Sequence, residues 1–319
     1  MNVNEFLVIL EIRIDSFLSE KTGKSRSFVQ EQIKSSRVKI NGEICLKPSH
    51  RLKANDVVSF EWKEETSLAH LTPTPGTLNI VFEDEYLLAL NKSAGVIVHP
   101  GAGRKDDTLV HHLLHYLNHT PFNTLSSERP GIVHRLDEGT TGVLLVAKTE
   151  ETQVLLSNMF KNRSIKKTYR AITYGKMHLS GTFNSPIGRD RRDRKKMSSR
   201  SQNARPASTP WKALERFQHF TYVELYPTTG RTHQLRVHLS EAQFPIVGDP
   251  TYGKPKMKAS LISSKVGEQI SQMDHTLLHA YSVEFEHPHT HKVLSLTAPL
   301  PEDFAAFLHL LKQEDPCQP

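Results

Sequence analysis

Three side chains able to take part in acid–base chemistry or anion binding lie together in one short stretch, residues 131–148. His134, Arg135 and Asp137 follow an apolar pair and precede a turn with two glycines, after which residues 143–147 are all apolar. This pattern predicts a strand, a tight loop and a second strand. A loop held by two buried strands is a common place for catalytic and binding groups. The residues alone leave open a second interpretation, in which Asp137 only caps the turn.

The charge pattern indicates a partner with many negative charges. The 319 residues carry a formal net charge of +7, and residues 189–205 alone hold eight Lys or Arg against two Asp. With serines inside it and a glycine before it, this run predicts a mobile basic loop that binds phosphates, with Arg189, Lys195 and Lys196 as candidate contacts. A solvated loop without a partner is the alternative.

Cysteine usage and hydropathy favour the cytoplasm. The two cysteines, Cys45 and Cys317, lie far apart in the chain, so a disulfide framework is not expected. The apolar residues 6–10 lie between two glutamates and are too few for a signal peptide, and no apolar run approaches the length of a membrane span. We therefore expect a cytoplasmic protein without membrane contact.

The first 62 residues predict a small basic module. Residues 12–62 carry ten Lys or Arg against six Asp or Glu. Asp15 and one of two serines, Ser25 or Ser27, can each cap a short helix, and Asn41-Gly42 is a strong hairpin signal. The segments Arg13-Ile14-Asp15, Ser25-Arg26 and 38–42 resemble the S4 RNA-binding domain. The alternative is a basic module that docks on the rest of the chain.

Residues 63–77 predict a linker, and a larger domain follows over residues 78–312. The linker contains two prolines, a glycine and no apolar period. In the larger domain a helix is predicted over 108–118, with Asp107 as its cap. Its histidines include His111 and His115, four residues apart, as in some zinc sites. We expect a solvated polar face instead, because no glutamate or cysteine completes a metal-binding pattern.

Four motifs of the larger domain resemble the RluA family of pseudouridine synthases. They are His134-Arg135-Leu136-Asp137 with the Thr-Gly turn after it, VHPGAG at 98–103, Lys167-Thr168-Tyr169, and TGRTHQLRVHL at 229–239. The segment PIGRDRRDRKKM at 186–197 is similar to a basic insertion of that family. The resemblance covers about residues 12–312, and VHPGAG is the form of the ribosomal large-subunit branch.

The resemblance implies a role for individual residues. Asp137 is the catalytic residue, Tyr169 stacks on the flipped base, Arg231 pairs with Asp137 from the first turn of a helix over 231–239, and Leu235 lines the base pocket. His134 and Arg135 are expected to contact the substrate, with Arg135 filling the space that the base vacates or binding the RNA backbone. The basic run grips an RNA stem. The turn-rich residues 248–253 are expected to serve the fold.

The resemblance also implies the fold and the reaction. We expect an α+β chain in which a small S4-type domain precedes a catalytic domain with a mixed, mostly antiparallel sheet in two halves. The reaction would isomerise uridine to pseudouridine in RNA, without cofactor or metal. The partner would be a 23S ribosomal RNA stem-loop, free or in the pre-ribosomal large subunit, bound by a monomer. The alternatives are a non-catalytic S4-type RNA-binding or ribosome-assembly protein and a pseudouridine synthase that acts on tRNA.

Overall fold

The computed structural model describes residues 4–24, 26–62, 71–100, 107–117, 130–193, 195–253 and 259–316. The chain divides into two compact units, Met1–His70 and Leu71–Pro319. Some features discussed above lie outside the described residues: Ser25, residues 63–70 of the predicted linker, residues 101–103 of VHPGAG, residue 118 of the predicted helix, Arg194 and Cys317. No helix in the described ranges is both long and apolar enough to cross a membrane.

The first unit packs two helices on a small antiparallel sheet. Its elements are β1 Asn4–Leu7, β2 Ile12–Arg13, α1 Ile14–Thr22, α2 Arg26–Lys34, β3 Val38–Ile40, β4 Glu43–Ile44, β5 Arg51–Leu52 and β6 Val57–Phe60. The strand order is β1-β6-β3-β4, and β2 pairs with β5. Leu18, Val29 and Val58 are fully buried where the helices meet the sheet. The predicted hairpin is confirmed, since Asn41 (φ 51°) and Gly42 (φ 86°) turn the chain between β3 and β4.

Asp15 links the two helices instead of capping the first one. The N-cap of α1 is Arg13, and Asp15 lies in the first helical turn. Its carboxylate accepts hydrogen bonds from Arg13 (2.9 Å), Arg26 (3.0 Å) and Gln30 (2.7 Å). The prediction of a cap was therefore wrong, because side chains of α2 outcompete the backbone of α1 for this carboxylate. The Gly23 φ of 68° ends α1 in the left-handed region.

The second unit is built on a nine-stranded mixed sheet with helices beside it. Its elements are β7 Ile80–Glu83, β8 Leu87–Lys92, α3 Leu109–Tyr116, β9 Thr141–Ala147, α4 Glu150–Lys161, β10 Lys166–Tyr174, β11 Ser180–Phe183, β12 Gly188–Arg189, β13 Met197–Ser198, β14 Thr209–Arg216, β15 Phe220–Leu225, α5 Gln234–Glu241, α6 Ser264–Ser271, β16 Leu278–Glu286, β17 Val293–Thr297 and α7 Glu302–Glu314. The α+β class with a mostly antiparallel sheet is confirmed.

Two halves of this sheet meet at β16. The order is β11-β14-β15-β10-β16-β9-β8-β7, and β17 also pairs with β16. Among these described strands the β16–β9 pair is parallel, and the other pairs are antiparallel. One core, around Val223, Leu239 and Phe307, lies in the half that contains α5 and α7. Two further cores cover the β8–β9 half. The loop that carries Asp137 lies where the two halves join.

Two local predictions need correction. Only the second of the two strands predicted in 131–148 forms, as β9; before the loop, Ile132 makes a single bridge to Val146. The cap of α3 is Thr108, not Asp107. The His111 ring contacts Thr108 Oγ1 at 2.9 Å and is 3% exposed, so it closes a capping box and is no part of a solvated face.

Candidate active site

Asp137 lies in a tight turn directly before β9, at the centre of the sheet. The Thr140 amide donates to the Asp137 carbonyl at 3.0 Å, and the chain then pairs with β16 at Thr141 and Gly142. Gly142 has a φ of 106°, and a Cβ on it would collide with the Ala280 carbonyl oxygen. This close approach requires glycine. The joint between the two halves of the sheet therefore sets the position of Asp137.

A buried lysine is hydrogen-bonded to backbone carbonyls of the same loop and of the segment beside it. The Lys92 ammonium, 2% exposed, donates to the carbonyls of Ser93 (2.9 Å), Val96 (2.9 Å) and Glu138 (3.1 Å). Burial lowers the pKa of Lys92 to about 8, against the opposing influence of the Asp137 and Glu138 carboxylates. Because three backbone carbonyls converge on one ammonium, Lys92 fixes the loop that carries Asp137.

Arg236 joins Asp137 to a second, buried aspartate. Arg236 Nη1 donates to Asp137 Oδ2 at 3.0 Å, across 99 residues of sequence. Its Nε and Nη2 donate to Asp249 Oδ2 and Oδ1 at 2.6 and 2.8 Å, a two-bond fork. The Asp249 side chain is fully buried and that of Arg236 is 9% exposed. Asp249 thus locks the guanidinium in the plane from which it reaches Asp137.

The charges of this group support one another. Burial alone would lower the pKa of Arg236, but Asp249 and Asp137 outweigh burial and raise it. Burial alone would raise the pKa of Asp249, but Arg236 and the amides of Thr251 and Tyr252 outweigh burial and lower it. Arg236 and Asp249 are therefore ionised together at neutral pH.

The expected pairing of Arg231 with Asp137 was wrong. Helix α5 begins at Gln234, so Arg231 lies in the turn before the helix. The Gln234 amide ties that turn, accepting from the Thr229 hydroxyl at 2.7 Å and from the Arg231 backbone amide at 3.0 Å. The Arg231 guanidinium donates to the Pro206 carbonyl at 3.2 Å. Arg236, the third residue of α5, takes the position next to Asp137.

A cavity of about 160 Å³ opens beside Asp137. Its apolar wall includes Tyr169 and Leu235, and Arg135 and Arg231 also line it. Burial and, second, the charge of Asp137 raise the pKa of the Tyr169 phenol, which keeps its proton at neutral pH. The remaining lining residues described are Leu136, Thr140, Lys167, Pro227, Thr229, Gly230, Thr232, His233, Gln234, Arg236 and Leu278. An aromatic face, an aliphatic wall and several cations suit a planar base with a phosphate backbone.

A second cavity, of about 450 Å³, lies against the same charged group. It shares Arg135, Asp137, Thr140, His233 and Arg236 with the first cavity and extends past Glu138 and Thr276. Asp137 is therefore a wall residue of two adjacent cavities.

His134 does not line either cavity among the residues described for them. Its Nε2 accepts a hydrogen bond from the Leu145 amide at 2.8 Å, and its ring stacks on Phe160 at 4.4 Å. Burial and then the charge of Lys167 lower the pKa of His134 to about 3. His134 is therefore a neutral residue that fixes the segment before Asp137 to β9, and its contact with the substrate stays a prediction.

The basic run folds as a hairpin rather than as a loop without regular structure. β12 pairs with β13 through Gly188 with Ser198 and Arg189 with Met197. Between them the Asp190 carboxylate accepts from the Arg192 and Asp193 amides at 2.8 and 2.9 Å. In this turn Lys195 is exposed and Lys196 is half-buried. We call the described residues 188–193 and 195–198 the basic hairpin.

Sequence reasoning missed several residues that build the site: Lys92, His233, Arg236, Asp249 and Tyr252. Arg236 lies in the same motif as Arg231, so only the start of the helix could have distinguished them. Asp249 and Tyr252 belong to residues 248–253, for which the sequence predicts a role in the fold. The signal that could have placed them at the site is that this turn contains a charged and an aromatic residue.

Comparison with known proteins identifies both units. A family described as RNA pseudouridylate synthase matches residues 86–241, and the S4 domain matches residues 12–58. The uncharacterized RNA pseudouridine synthase YlyB of Bacillus subtilis is 37% identical over 94% of each chain. Ribosomal large subunit pseudouridine synthase D of Escherichia coli K12 is 35% identical over 95% of this chain and 91% of its own.

A solved structure agrees with these relatives. Human RNA pseudouridylate synthase domain containing 4 superposes with a TM-score of 0.57 at 29% identity, over 73% of this chain and 93% of its own. With relatives of more than 30% identity along nearly the whole chain, this protein belongs to the RNA pseudouridine synthase family, with an S4 domain before its catalytic domain, and isomerises uridine in RNA.

Proposed function

We propose that this enzyme modifies uridines of 23S ribosomal RNA, with Asp137 as the catalytic residue. The observation that carries the assignment is the Asp137 carboxylate, held at 3.0 Å by Arg236 at the wall of a cavity that also presents Tyr169 and Leu235. A held carboxylate beside a pocket for a flat ring is what the exchange of a glycosidic bond needs.

The reaction balances without a co-substrate. The bond between N1 of uracil and C1′ of ribose breaks, and a bond between C5 and C1′ forms. C5 loses its proton and N1 gains one, so substrate and product are isomers. Asp137 starts the exchange, either by attack or by removal of a proton, while Arg236 keeps Oδ2 in place.

The target base must leave the RNA stack before it can reach Asp137. In the proposal it enters the 160 Å³ cavity and stacks on Tyr169, whose phenol stays neutral, with Leu235 against its edge. Arg135 is exposed at the mouth of both cavities, where it can fill the vacated stack or bind a phosphate. Arg231, at the same mouth, binds the RNA backbone and has no direct bond to Asp137.

The RNA target is proposed from the relatives and the basic surfaces. Synthase D of Escherichia coli and that of Xanthomonas campestris are named for the ribosomal large subunit, at 35% and 36% identity. The S4 domain and the basic hairpin, with Arg189, Lys195 and Lys196, suit a structured RNA stem. We propose a 23S stem-loop, free or in the pre-ribosomal large subunit, with tRNA as the second candidate.

The proposal includes the organisation of the molecule. The S4 domain occupies residues 12–62, the linker 63–77 and the catalytic domain 78–312, in a monomer that works in the cytoplasm on newly made ribosomal RNA. Neither metal nor cofactor takes part in the exchange.

Tritium release from C5-labelled uridine in 23S transcript tests the proposal. Wild type releases tritium, and Asp137→Asn binds the RNA but releases none, since the amide keeps the shape and removes the charge. Glu302→Gln, at an exposed position in the first turn of α7, is the matched control and releases tritium normally. Substantial release by Asp137→Asn would refute the catalytic role. Salt-dependent binding without release by wild type, on 23S RNA and then on tRNA, would support a non-catalytic binding protein.

A further inference from the structure

His233 connects Asp137 to the basic hairpin through one tyrosine. His233 Nε2 lies 3.9 Å from Asp137 Oδ2, and its Nδ1 lies 2.9 Å from the Tyr252 hydroxyl oxygen. That oxygen also accepts a hydrogen bond from the Met197 amide at 2.8 Å. Met197 pairs with Arg189 in the basic hairpin. Hydrogen bonds therefore run from the hairpin through Tyr252 to His233, whose Nε2 faces the carboxylate at 3.9 Å.

The backbone around His233 holds the ring in this position. His233 is the N-cap of α5, with a φ of 55° in the left-handed region that few side chains adopt. Residues in such conformations outside glycine are concentrated at functional sites. The side-chain amide oxygen of Gln234 accepts a hydrogen bond from the Arg231 backbone amide, which fixes the turn that carries His233.

Hydrogen-bond accounting decides which nitrogen of His233 carries the proton. The Met197 amide can only donate, so it occupies a lone pair of the Tyr252 oxygen. If His233 Nδ1 also donated to this oxygen, the Tyr252 proton would have no acceptor among the described residues; the proton therefore points to His233 Nδ1, which accepts it. A neutral His233 therefore carries its own proton on Nε2, facing Asp137. The opposite tautomer would turn a lone pair towards the carboxylate oxygen, which is repulsive.

The charged groups around the ring agree with a neutral imidazole. Burial lowers the pKa of His233, and Asp137 and Asp249 oppose this effect while Arg236 and Arg135 add to it. Arg236 also lies over the Tyr252 ring, with its guanidinium carbon 5.1 Å from the centroid. The Tyr252 ring thus supports Arg236, while its hydroxyl acts on His233.

We propose that Tyr252 and His233 are positioning residues for Asp137. The Tyr252 hydroxyl sets the tautomer of His233, so that His233 turns an Nε2–H towards Asp137 Oδ2, 3.9 Å from Nε2. Arg236 and His233 then hold one carboxylate oxygen from two sides and orient the other towards the target nucleotide. This inference rests on the proposed catalytic role of Asp137.

The tautomer is measured without any assay of activity. In protein labelled with ¹⁵N-histidine, the His233 resonances are assigned by their loss in His233→Gln. We expect wild type to show a protonated Nε2 and an unprotonated, hydrogen-bonded Nδ1, and Tyr252→Phe to lose the hydrogen-bond shift of Nδ1. A protonated Nδ1 in wild type would overturn the assignment, whether or not the protein modifies the RNA tested.

Single-turnover rates on 23S transcript test the positioning role. Tyr252→Phe keeps the ring under Arg236 and removes both hydrogen bonds of the hydroxyl, the one to His233 and the one from the Met197 amide. Loss of the His233 bond should lower the rate about tenfold at saturating enzyme, with unchanged RNA affinity. Tyr116→Phe is the matched control, because Tyr116 lies on α3 and its hydroxyl donates to Glu83 of β7, away from the site, so this variant should keep the wild-type rate.

A double-mutant cycle separates positioning from a general loss of structure. His233→Gln retains an amide N–H where Nε2–H was and no longer depends on Tyr252. Adding Tyr252→Phe to His233→Gln should therefore change the rate less than twofold. A full tenfold loss in that background, or an effect on RNA affinity alone, would refute the inference. If wild type itself forms no pseudouridine, the proposed function fails, and the tautomer measurement still decides this point.

Discussion

Replacing Arg236 tests the central geometric claim, that Arg236 and not Arg231 holds Asp137. In Arg236→Gln the buried Asp249 carboxylate keeps, of its partners in the described part of the chain, the amides of Thr251 and Tyr252. Removing one member of a buried ion pair costs about 3–5 kcal/mol. For a catalytic unit of this size each kcal/mol lowers Tm by about 2–4 °C, so we expect a fall of about 6–20 °C.

Arg231→Gln is the matched comparison within the same motif. Arg231 makes one hydrogen bond of 3.2 Å to a carbonyl, from a half-buried position, so its loss should cost about 1 kcal/mol or less. Urea unfolding of both variants measures the two free energies, and tritium release measures the two rates. We expect Arg236→Gln to lose at least a hundredfold in rate, and Arg231→Gln to lose mainly RNA affinity.

The result that would refute this reasoning is an equal or larger loss of stability in Arg231→Gln. Such a result would mean that Arg231 makes the buried ion pair in solution. Asp249→Asn gives an independent check, because it weakens the fork on Arg236 without touching Asp137, and it should lower the rate in the same direction as Arg236→Gln.

Two further predictions concern pH and salt. The pKa of His134 is lowered to about 3, so below about pH 6.5 the unfolded chain takes up a proton that the folded chain does not, and acid destabilises the fold. From pH 7 to pH 5 the free energy of unfolding should fall by about 2 kcal/mol for this reason. Urea unfolding of His134→Gln should lack that part of the loss. An unchanged pH dependence would contradict it. Lys195→Gln and Lys196→Gln should each reduce the slope of log K against log salt by about 0.7–0.9 in filter binding, and an unchanged slope would place these lysines off the RNA.

The local features of this chain could be predicted from sequence because they depend on residues a few positions apart. Asn41-Gly42 can take positive φ angles and so turns the hairpin of the first unit. The apolar run after Gly142 forms the buried strand β9. The motifs around Asp137 and Tyr169 also named the residues that the fold brings into one cavity.

The assignment of partners could not be predicted in the same way. The motif at 229–239 contains two arginines, and which of them contacts Asp137 depends on where α5 begins. The left-handed conformation of His233 and the hydrogen bonds of Gln234 determine that start. His134 was expected at the substrate because it neighbours Asp137. Its contact with the Leu145 amide is one that sequence separation alone does not reveal.

The sequence by itself therefore determined the two units, the α+β class and the chemical groups available for the reaction. Tertiary structure alone decided that Arg236, which is hydrogen-bonded to Asp249, also donates to Asp137. It also decided that His233, in contact with Tyr252, lies next to Asp137. The physical reason is distance along the chain. Helix caps and turns are short-range, whereas these contacts exist only once β9 and β16 pair in parallel and bring the two halves of the sheet together.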